Sequence, residues 1–447
     1  MLTTKRSIVN IKKLAVLSGC FLLAFAPLLS QDYTNTEIVS VEKEAASVKT
    51  LSRMGLDVLF EREGRIYLLV RYDLDELARI EAAGIAYEVE TQNFYPYNQR
   101  GVSIQTGVNG DFHSYSELEQ DLLAFEEAHP LLARVSVIGQ SLEGRNIYAI
   151  KISDNASAEE DEPDVLFIGC HHAREWISVE VPFFLAEYLV EHYDSDPEIR
   201  SLVDQSQIWI IPLLNPDGLE YSIHFYRYWR KNRRDNGDGS FGVDPNRNYD
   251  YMWGLDDEGS SPEPSSAVYR GQAPFSEPET QAIRDFFPGK KIQALMSYHN
   301  YSQIILYPWG YTFVPSAKDG LLFEMAAEMS SLMESERGTV YAFGPAGSSL
   351  YVTNGDTTDW ALGVHNIPAF TIELPPIDVE HGGFFNAEAE IQPIFRENLP
   401  AALYLIDWSI RNYAALKQIA AGKRQKIEGS VRKTKGTATA IRITSKK

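Results

Sequence analysis

Several runs of apolar residues recur along the chain, and some are apolar at almost every position. The runs are RVSVIG, NIYAIKIS, DVLFIG, IWIIPLL, IQALMSY, IILYP and AFTIEL. Strands that are apolar throughout are covered on both faces, whereas strands with one wet face alternate. Helix-like segments separate several runs, among them VPFFLAEYLVEHY, PETQAIRDFF, LLFEMAAEMSSLM and PIFRENLPAALYLIDWSI. The pattern predicts an α/β fold, with a mixed central sheet and helices on both of its faces.

This α/β unit is expected to span residues 106–413. Its first helix should begin shortly after Asp111, where Ser116 and Glu119 have the spacing of a capping box. The Gly-, Asn- and Ser-containing stretch NFYPYNQRGVSIQTGVNG, residues 93–110, precedes it. Such a stretch is typical of an exposed linker that proteases cut.

Residues 32–105 predict a smaller α+β unit. LDVLFERE, RIYLLVRY and IAYEVETQ have strand-like alternation, and LDELARIEAAG is a helix-like segment that ends at Gly84. Because the linker follows directly, we expect this unit to be separate from the larger one.

The N-terminus has the pattern of a secretory signal peptide over residues 1–31. Four basic residues precede the apolar run LAVLSGCFLLAFAPLL, and no acidic residue occurs before Asp32. Leu17-Ser18-Gly19-Cys20 also resembles a lipoprotein cleavage site, but the apolar run continues for ten residues beyond Cys20. We therefore expect ordinary cleavage near Ser30 and a secreted, extracellular or periplasmic protein, with lipidation at Cys20 as the less favoured alternative. After cleavage Cys170 is the only cysteine, so no intrachain disulfide is expected.

Charge is distributed unevenly along the chain. The formal net charge is −21, but residues 417–447 carry ten Lys or Arg against one acidic residue and residues 1–31 carry four, so residues 32–416 hold −34. Such acidity argues against nucleic-acid binding, which needs a basic face. The basic extension, residues 414–447, either contacts something anionic at the cell surface or is a solvated linker, and its last part alternates like one or two strands.

Two strand-like runs are followed by metal-ligand residue types. His172 and Glu175 follow DVLFIG, and His299 ends IQALMSYH. Imidazole nitrogens and carboxylate oxygens are the ligands of a catalytic zinc, which also keeps one position open for water. The HxxE spacing is weak evidence by itself, but strand ends are where α/β sheets place ligand sites. His171 and His113 are competing ligands, although local hydrogen bonds are the more ordinary role for each.

Six motifs occur in a fixed order and carry a family resemblance. They are HAREWI (172–177), NPDG (215–218), WRKNRR (229–234), GVDPNRN (242–248), SYHNYSQIILYPWGYT (297–312) and TIEL (371–374). Together they resemble the zinc metallocarboxypeptidases of the pancreatic A and B type, and especially the bacterial carboxypeptidase T type. The resemblance covers roughly residues 111–413 and implies one Zn²⁺ ion and peptide or protein substrates with a free C-terminus.

The resemblance also implies a role for each matched residue. His172, Glu175 and His299 would ligate zinc, and Asp244 would orient the first histidine. Glu373 would be the general base, and Arg230 would stabilise the negative charge that develops on the scissile carbonyl. Substrate contacts would come from Arg174, Asn246, Arg247 and Tyr351. Of these, Asn246 and Arg247 would hold the terminal carboxylate, to which arginine's planar fork is suited.

The pocket for the terminal side chain aligns with Ala346, Asp356 and Thr358. A floor that is neutral at Thr358, with a carboxylate to one side at Asp356, resembles the dual-specificity bacterial enzymes. We therefore expect release of both apolar or aromatic and basic residues. After Glu373 comes Leu374-Pro375-Pro376, where pancreatic members usually have a charged pair, so the rim of the pocket is expected to differ.

The resemblance further implies that residues 32–105 are an inhibitory propeptide. Latency would then end when an activating protease cuts the linker, and Arg100 is a candidate site for a trypsin-like enzyme. A monomer is expected.

Three other functions stay open at this point. A zinc endopeptidase or amidase acting on peptidoglycan peptides shares this scaffold, but it should lack the Asn246–Arg247 clamp. A non-catalytic binding module would usually have lost a ligand or Glu373. A surface adhesin would depend on the basic extension. Calcium is a further possibility at the acidic stretches AEEDEP (158–163) and DNGDG (235–239), neither of which has EF-hand spacing.

Overall fold

The computed structural model describes residues 36–71, 76–90, 109–378 and 381–437. The predicted signal peptide, Arg100 with its linker, and the strand-like end of the basic extension lie outside these residues.

The N-terminal unit is a four-stranded antiparallel sheet with two short helices. Its strands are β1 (Thr36–Glu42), β2 (Asp57–Arg62), β3 (Arg65–Arg71) and β4 (Tyr87–Val89), and its helices are α1 (Val48–Arg53) and α2 (Glu76–Ala82). The strand order is β2-β3-β1-β4. Val39, Leu51, Leu68 and Ile80 belong to a core of its own, which agrees with the α+β unit that the sequence predicts.

The second unit is built on a mixed eight-stranded sheet. Its strands are β5 (Ala133–Gln140), β6 (Asn146–Ile152), β7 (Asp164–Ile168), β8 (Gln207–Ile211), β9 (Ile292–Asn300), β10 (Ile304–Tyr307), β11 (Ala342–Pro345) and β12 (Ala369–Leu374). The order across the sheet is β11-β10-β12-β9-β7-β8-β6-β5. The central strands β12, β9, β7 and β8 are parallel, whereas β10, β6 and β5 pair antiparallel with neighbours. The predicted mixed sheet is confirmed.

Nine α-helices accompany this sheet in the described part of the chain. They are α3 (Tyr115–Ala128), α4 (Ile177–His192), α5 (Pro197–Val203), α6 (Pro216–His224), α7 (Pro278–Phe286), α8 (Asp319–Arg337), α9 (Ala346–Ser349), α10 (Thr357–His365) and α11 (Ile391–Thr437). None of the described helices combines the length and apolar composition needed to cross a bilayer.

The sheet is covered on both faces, as the apolar runs predict. In β7, Val165 and Phe167 belong to the core shared with α3, α4, α8 and α11. The alternate residues Leu166 and Ile168 belong to the core on the opposite face, shared with α7 and α10. Every residue of β7 is buried, so this strand shows no polar alternation.

The capping box lies two residues earlier than the sequence suggests. Helix α3 begins at Tyr115, and Ser114 and Glu117 form its box. The Ser114 backbone N–H donates to Glu117 Oε2 over 2.9 Å. Ser116 and Glu119 lie inside the helix, so the assignment of the box to them is wrong.

Helix α11 continues through residue 413 and on to Thr437. The Tyr413 hydroxyl donates to Asp161 Oδ1 over 2.6 Å. Lys417 Nζ pairs with Asp161 Oδ2 at 2.8 Å. The basic extension therefore begins as an uninterrupted continuation of the last helix of the larger unit.

Candidate metal centre and substrate cleft

The carboxyl ends of β7, β9 and β12 lie side by side and carry the residues of the predicted metal centre. His172 and Glu175 follow β7, His299 lies near the end of β9, and Glu373 near the end of β12. The register pairs Glu373 with His299 across the two parallel strands. Residues that are far apart in sequence therefore meet at one edge of the sheet.

His172, Glu175 and His299 are buried and bring their donor atoms together. One ligand atom from each lies within 4.8 Å of the others. His172 Nδ1 is 2.8 Å from Glu175 Oε1, and His299 Nδ1 is 3.0 Å from Glu175 Oε2. The two Nδ1 atoms are 3.1 Å apart. Two imidazoles and a carboxylate thus converge on one point.

The turn between β7 and α4 positions the first two donors. It begins at Gly169, where an added Cβ would lie 2.1 Å from the Ser178 carbonyl oxygen and 2.6 Å from that of Pro212. Only glycine fits such a close approach of backbones. Helix α4 then begins at Ile177, and the tight connection aims His172 and Glu175 at His299.

The outer nitrogens of both histidines are held by other side chains. His172 Nε2 is 3.1 Å from Asp244 Oδ1, and His299 Nε2 is 3.1 Å from Ser297 Oγ. Burial, and then the charge of Arg230, lowers the pKa of His172 to about 4 and that of His299 to about 3. Both imidazoles are therefore neutral at pH 7 with Nδ1 directed inward, as a metal ligand requires.

Asp244 connects this centre to Arg230. Arg230 donates to Asp244 Oδ2 from Nε at 3.0 Å and from Nη2 at 2.8 Å. Burial alone would raise the pKa of Asp244, but Arg230 and His172 hold it well below its usual range. One ionised carboxylate therefore fixes both the predicted ligand His172 and the predicted oxyanion-stabilising cation Arg230.

These residues fit a catalytic zinc ion. The donors are of the His₂Glu type that zinc accepts, they are buried, and their outer atoms are hydrogen-bonded. Three protein ligands leave a fourth tetrahedral position for water or substrate.

Glu373 lies next to the donors but is not among them. Burial, and then the negative charge of Glu175, raises the pKa of Glu373 well above its usual range. A carboxylate whose pKa lies closer to neutrality is better suited to accept a proton and return it.

Asn246 and Arg247 lie in a short 3₁₀ turn, Pro245–Arg247, directly after Asp244. Asn246 Oδ1 accepts hydrogen bonds from the backbone N–H of Thr357 at 3.0 Å and from its hydroxyl at 2.9 Å. Arg247 is buried, and its Nε has no hydrogen-bond partner among the described residues. A buried, unsatisfied guanidinium nitrogen is a suitable partner for an incoming carboxylate.

Arg174 is already paired, with a residue of the N-terminal unit. Its Nη1 donates to Asp57 Oδ2 and its Nη2 to Asp57 Oδ1 at 3.3 Å. Its guanidinium carbon lies 4.1 Å from the centre of the Phe384 ring. Nothing in the sequence near Asp57 signals this contact.

The predicted pocket residues lie on either side of the segment that carries Tyr351. Ala346 starts α9, Tyr351 is half-buried in the connection that follows, and Asp356 caps α10. Asp356 accepts hydrogen bonds from Thr353 Oγ1 at 2.5 Å, Thr358 Oγ1 at 2.9 Å and the Asp359 N–H at 2.9 Å. Its carboxylate therefore has a fixed orientation.

The competing histidines have local partners. His171 Nε2 lies 3.0 Å from the Tyr249 hydroxyl and 2.8 Å from Thr357 Oγ1. His113 Nδ1 lies 2.7 Å from Glu180 Oε2.

A second group of potential metal ligands lies on the surface. Asp154, Glu160 and Glu162 bring carboxylate oxygens within 4.8 Å of one another. Glu160 and Glu162 belong to the first of the two acidic stretches that the sequence suggests for calcium. In the other stretch, Asp235 and Asp238 accept hydrogen bonds from Gly237 and Ser240 of their own loop.

Comparison with known proteins is consistent with this arrangement. The model of the zinc carboxypeptidase (peptidase M14) family matches residues 118–401. A zinc carboxypeptidase of Saccharothrix mutabilis subsp. capreolus is 36% identical over 307 residues, covering 67% of this chain and 69% of that protein. Carboxypeptidase A1 of Rattus norvegicus is 31% identical over 350 residues, covering 75% of this chain and 81% of that protein.

Among solved structures, the crystal structure of thrombin activatable fibrinolysis inhibitor is similar to this chain with a TM-score of 0.70 at 26% identity. The similarity covers 85% of this chain and 100% of that one.

Proposed function

Since the chain belongs to the zinc carboxypeptidase family, we propose that the site around His172, Glu175 and His299 removes single residues from the free carboxyl ends of extracellular peptides and proteins. The family and the metallopeptidase class are established by the match over residues 118–401. The roles of individual residues, the substrate preference and the latency are the parts that we propose. The narrower resemblance to carboxypeptidase T stays a prediction.

The convergence of the three donors beside Glu373 carries this proposal. A zinc ion held by them would supply Lewis-acid polarisation of the scissile carbonyl and would lower the pKa of a water molecule. Glu373 takes the proton from the attacking water and delivers it to the nitrogen of the leaving amino acid. Its raised pKa suits both directions of transfer.

Arg230 stabilises the carbonyl oxygen as that oxygen becomes negative. Because Asp244 already fixes the guanidinium through two hydrogen bonds, little reorganisation is needed as charge develops. Asp244 also contacts His172, so a single carboxylate positions both Arg230 and His172.

Arg247 and Asn246 make the enzyme an exopeptidase. The buried Arg247 Nε that lacks a partner in the described residues is free for the terminal carboxylate of the substrate. Tyr351 then closes over the bound residue. An endopeptidase or amidase has no use for such a clamp, so we rank those functions second.

The pocket beside α10 receives the terminal side chain. Ala346 leaves space, and Asp356 offers a carboxylate of fixed orientation. We propose that apolar, aromatic and basic residues are all released. Matched peptides ending in Phe, Leu, Lys, Arg or Glu test this proposal, and failure to release C-terminal Lys or Arg would leave only the apolar specificity.

The N-terminal unit acts as an inhibitory propeptide. Support comes from the Arg174–Asp57 pair, because Arg174 cannot contact substrate while Asp57 holds it. The 85% of the chain covered by the structural similarity also exceeds what residues 109–447 could supply, since these are about three quarters of the sequence. We also propose that the protein is secreted, is activated by a protease and is a monomer. Calcium binding at Asp154, Glu160 and Glu162 is a further part of the proposal.

One experiment tests the central claim. The trimmed protein is assayed on peptides that differ only in a free or amidated C-terminus, with and without a zinc chelator. We expect release of the last residue from free ends only, loss of activity with the chelator and recovery on adding Zn²⁺. Equal cleavage of amidated peptides would contradict the proposal.

A further inference from the structure

A cavity of about 300 Å³ lies between the N-terminal unit and the larger unit, beside the proposed active site. The N-terminal unit contributes Asp57 and Glu76 to its lining. The larger unit contributes three cations that are close together in sequence, Arg230, Lys231 and Arg233. The cavity is a continuation of the cleft, because Asp57 also contacts Arg174 and Arg230 also contacts Asp244.

Arg233 is the cation at this cavity that forms no direct ion pair within the described part of the chain, although the charges of Glu143 and Asp217 act on it from nearby. Arg230 is paired with Asp244, and burial lowers the pKa of Lys231 to about 7. The Arg233 guanidinium carbon is instead stacked on aromatic rings, 3.6 Å from the centre of Tyr221 and 4.6 Å from that of Trp229. Its Nε is buried without a hydrogen-bond partner in the described residues.

This concentration of positive charge is unusual in an acidic protein. Residues 32–416 carry a formal −34, yet RYWRKNRR, residues 227–234, contains five basic residues. Two of them are used elsewhere, since Arg227 donates to backbone carbonyls and Arg234 pairs with Glu277. The remaining cations face the cavity.

The N-terminal unit places acidic side chains against this surface. Asp57 is bound to Arg174, and its negative charge also counteracts the lowering of the Lys231 pKa by burial. Glu76 lines the same cavity and is paired with Arg79 of its own unit. Departure of the N-terminal unit would remove the negative charge of Asp57 from the neighbourhood of Arg230 and Lys231.

We propose that, in the activated enzyme, the Arg233 surface binds acidic side chains of the substrate upstream of the scissile bond. This inference rests on the proposed carboxypeptidase function and adds a second specificity to it. Arg247 and Asn246 hold the terminal carboxylate on one side of the metal donors, so the rest of the substrate must leave across the rim that the N-terminal unit covers. Arg233 lies along that rim.

The test uses the trimmed enzyme and peptides with identical C-terminal dipeptides but three upstream Asp, Ser or Lys residues. We expect kcat/KM for the Asp peptide to exceed that for the Ser peptide about three- to tenfold at low ionic strength, mainly through KM. The advantage should shrink in about 1 M salt, where the Debye length falls to about 3 Å. Equal values for the Asp and Ser peptides, or a preference for Lys, would overturn the inference.

Substitutions test whether Arg233 causes the preference for the Asp peptide. Arg233→Gln should bring the Asp-to-Ser ratio towards one, whereas Arg233→Lys should retain most of it. Arg200→Gln removes an exposed cation of α5 and should leave the ratio unchanged. A ratio that survives in a folded Arg233→Gln enzyme would refute the assignment. The wild-type ratio and its salt dependence test the preference even if that variant does not fold. Failure to cleave any of the three peptides would instead contradict the proposed function itself.

Discussion

At the scale of single residues, Asp244 supports more of the site than any ligand does. Its two oxygens separately hold His172 and Arg230, so its carboxylate supports both the proposed metal ligand and the proposed oxyanion-stabilising cation. Because it is completely buried and its pKa is held low, it stays charged throughout the range in which the enzyme would work.

Replacing Asp244 should weaken metal binding. In Asp244→Asn the amide interacts less strongly with His172 Nε2, so the imidazole is a weaker ligand. We expect zinc affinity to fall about 10- to 100-fold, measured by competition with a chromogenic chelator. Asp238→Asn, which removes an exposed carboxylate, is the matched control. Unchanged zinc affinity in Asp244→Asn would show that His172 needs no such support.

Glu373 should affect catalysis without affecting the metal. Glu373→Gln keeps the size of the side chain but cannot accept the proton, so kcat should fall about 10²- to 10⁴-fold. Zinc content should match that of the wild type, because Glu373 is not one of the three converging donors. Glu263→Gln, at an exposed position, should change neither quantity. A large loss of zinc in Glu373→Gln would identify Glu373 as a ligand instead.

The sequence is informative about residues that follow strands or belong to ordered motifs. His172, Glu175 and His299 could be selected because each lies at or near the end of an apolar run, whereas Glu373 could be selected only through the ordered motifs. Asp57 could not be selected, because its partner Arg174 is 117 positions away and no local pattern joins them. Ser297 was missed although it lies only two positions before His299, because a serine within a strand signals no contact until its neighbours are placed.

At the scale of elements, the position of α3 is decided by a contact that no sequence window contains. Ser114–Glu117 and Ser116–Glu119 have the same spacing, and only the first pair forms the box. The preceding residue, His113, is anchored to Glu180 of α4 through its backbone N–H and its Nδ1. This anchor fixes where the helix can begin.

The His113 anchor should make stability depend on pH. Burial alone would lower the pKa of His113, but Glu180 and then Asp121 raise it from 6.5 to about 9. The contribution of His113 to the free energy of unfolding is complete below about pH 6.5, where His113 is protonated in both the folded and the unfolded state. The contribution is lost as pH rises through about 9, because the folded state holds a proton that the unfolded state has released.

His113→Gln should therefore lower the free energy of unfolding by about 2 kcal/mol at about pH 6 and by much less at about pH 10. Urea unfolding of the trimmed protein at both pH values measures this difference. His224→Gln removes a surface imidazole and serves as the control. An equal loss at both pH values would mean that packing, not charge, accounts for the effect.

Strand prediction succeeded for runs that are rich in apolar residues, including the partly exposed edge strand β5. All seven apolar runs are strands, whereas β1 and β11 were missed. β1 mixes charged and apolar residues in TEIVSVE, and β11 has only four residues at the edge of the sheet. Their pairing depends on neighbouring strands rather than on a strong pattern of their own.

Calcium at the loop between β6 and β7 stays a prediction. Burial, and then the charge of Glu160, raises the pKa of Glu162 to about 7. A divalent cation would offset this repulsion, so calcium should raise the Tm of the wild type. Differential scanning calorimetry measures the shift, which Glu162→Gln should remove and Asp235→Asn should not. A Tm insensitive to calcium would contradict the site.

At the scale of the whole molecule, the two units are joined by charge as well as by apolar contact. Ile38 and Leu69 of the N-terminal unit pack with Tyr228, Tyr301 and Phe384. Beside this apolar contact, Asp57 meets Arg174, which is only 2% exposed. The sequence predicts both units separately, but not which surfaces meet, because these contacts join residues more than a hundred positions apart.

The Asp57–Arg174 pair should therefore contribute to latency. Removing one partner of a buried pair leaves the other desolvated and uncompensated, which costs about 2–5 kcal/mol in comparable interfaces. In Asp57→Asn the arrangement in which the N-terminal unit covers the cleft loses most of this energy. The N-terminal unit of the uncut protein should therefore leave the cleft more often. We expect uncut Asp57→Asn to hydrolyse a C-terminal peptide bond at least about tenfold faster than uncut wild type.

After the linker is cut and the N-terminal unit is removed, both proteins are identical in sequence and must show equal activity. This internal control separates a change in latency from a change in chemistry. Glu44→Gln removes an exposed carboxylate from the same unit and should leave the uncut protein latent. If uncut wild type already matches the trimmed enzyme, the N-terminal unit does not inhibit. If uncut wild type is latent and uncut Asp57→Asn is equally latent, the apolar contact around Tyr301 and Phe384 is sufficient to keep the cleft closed.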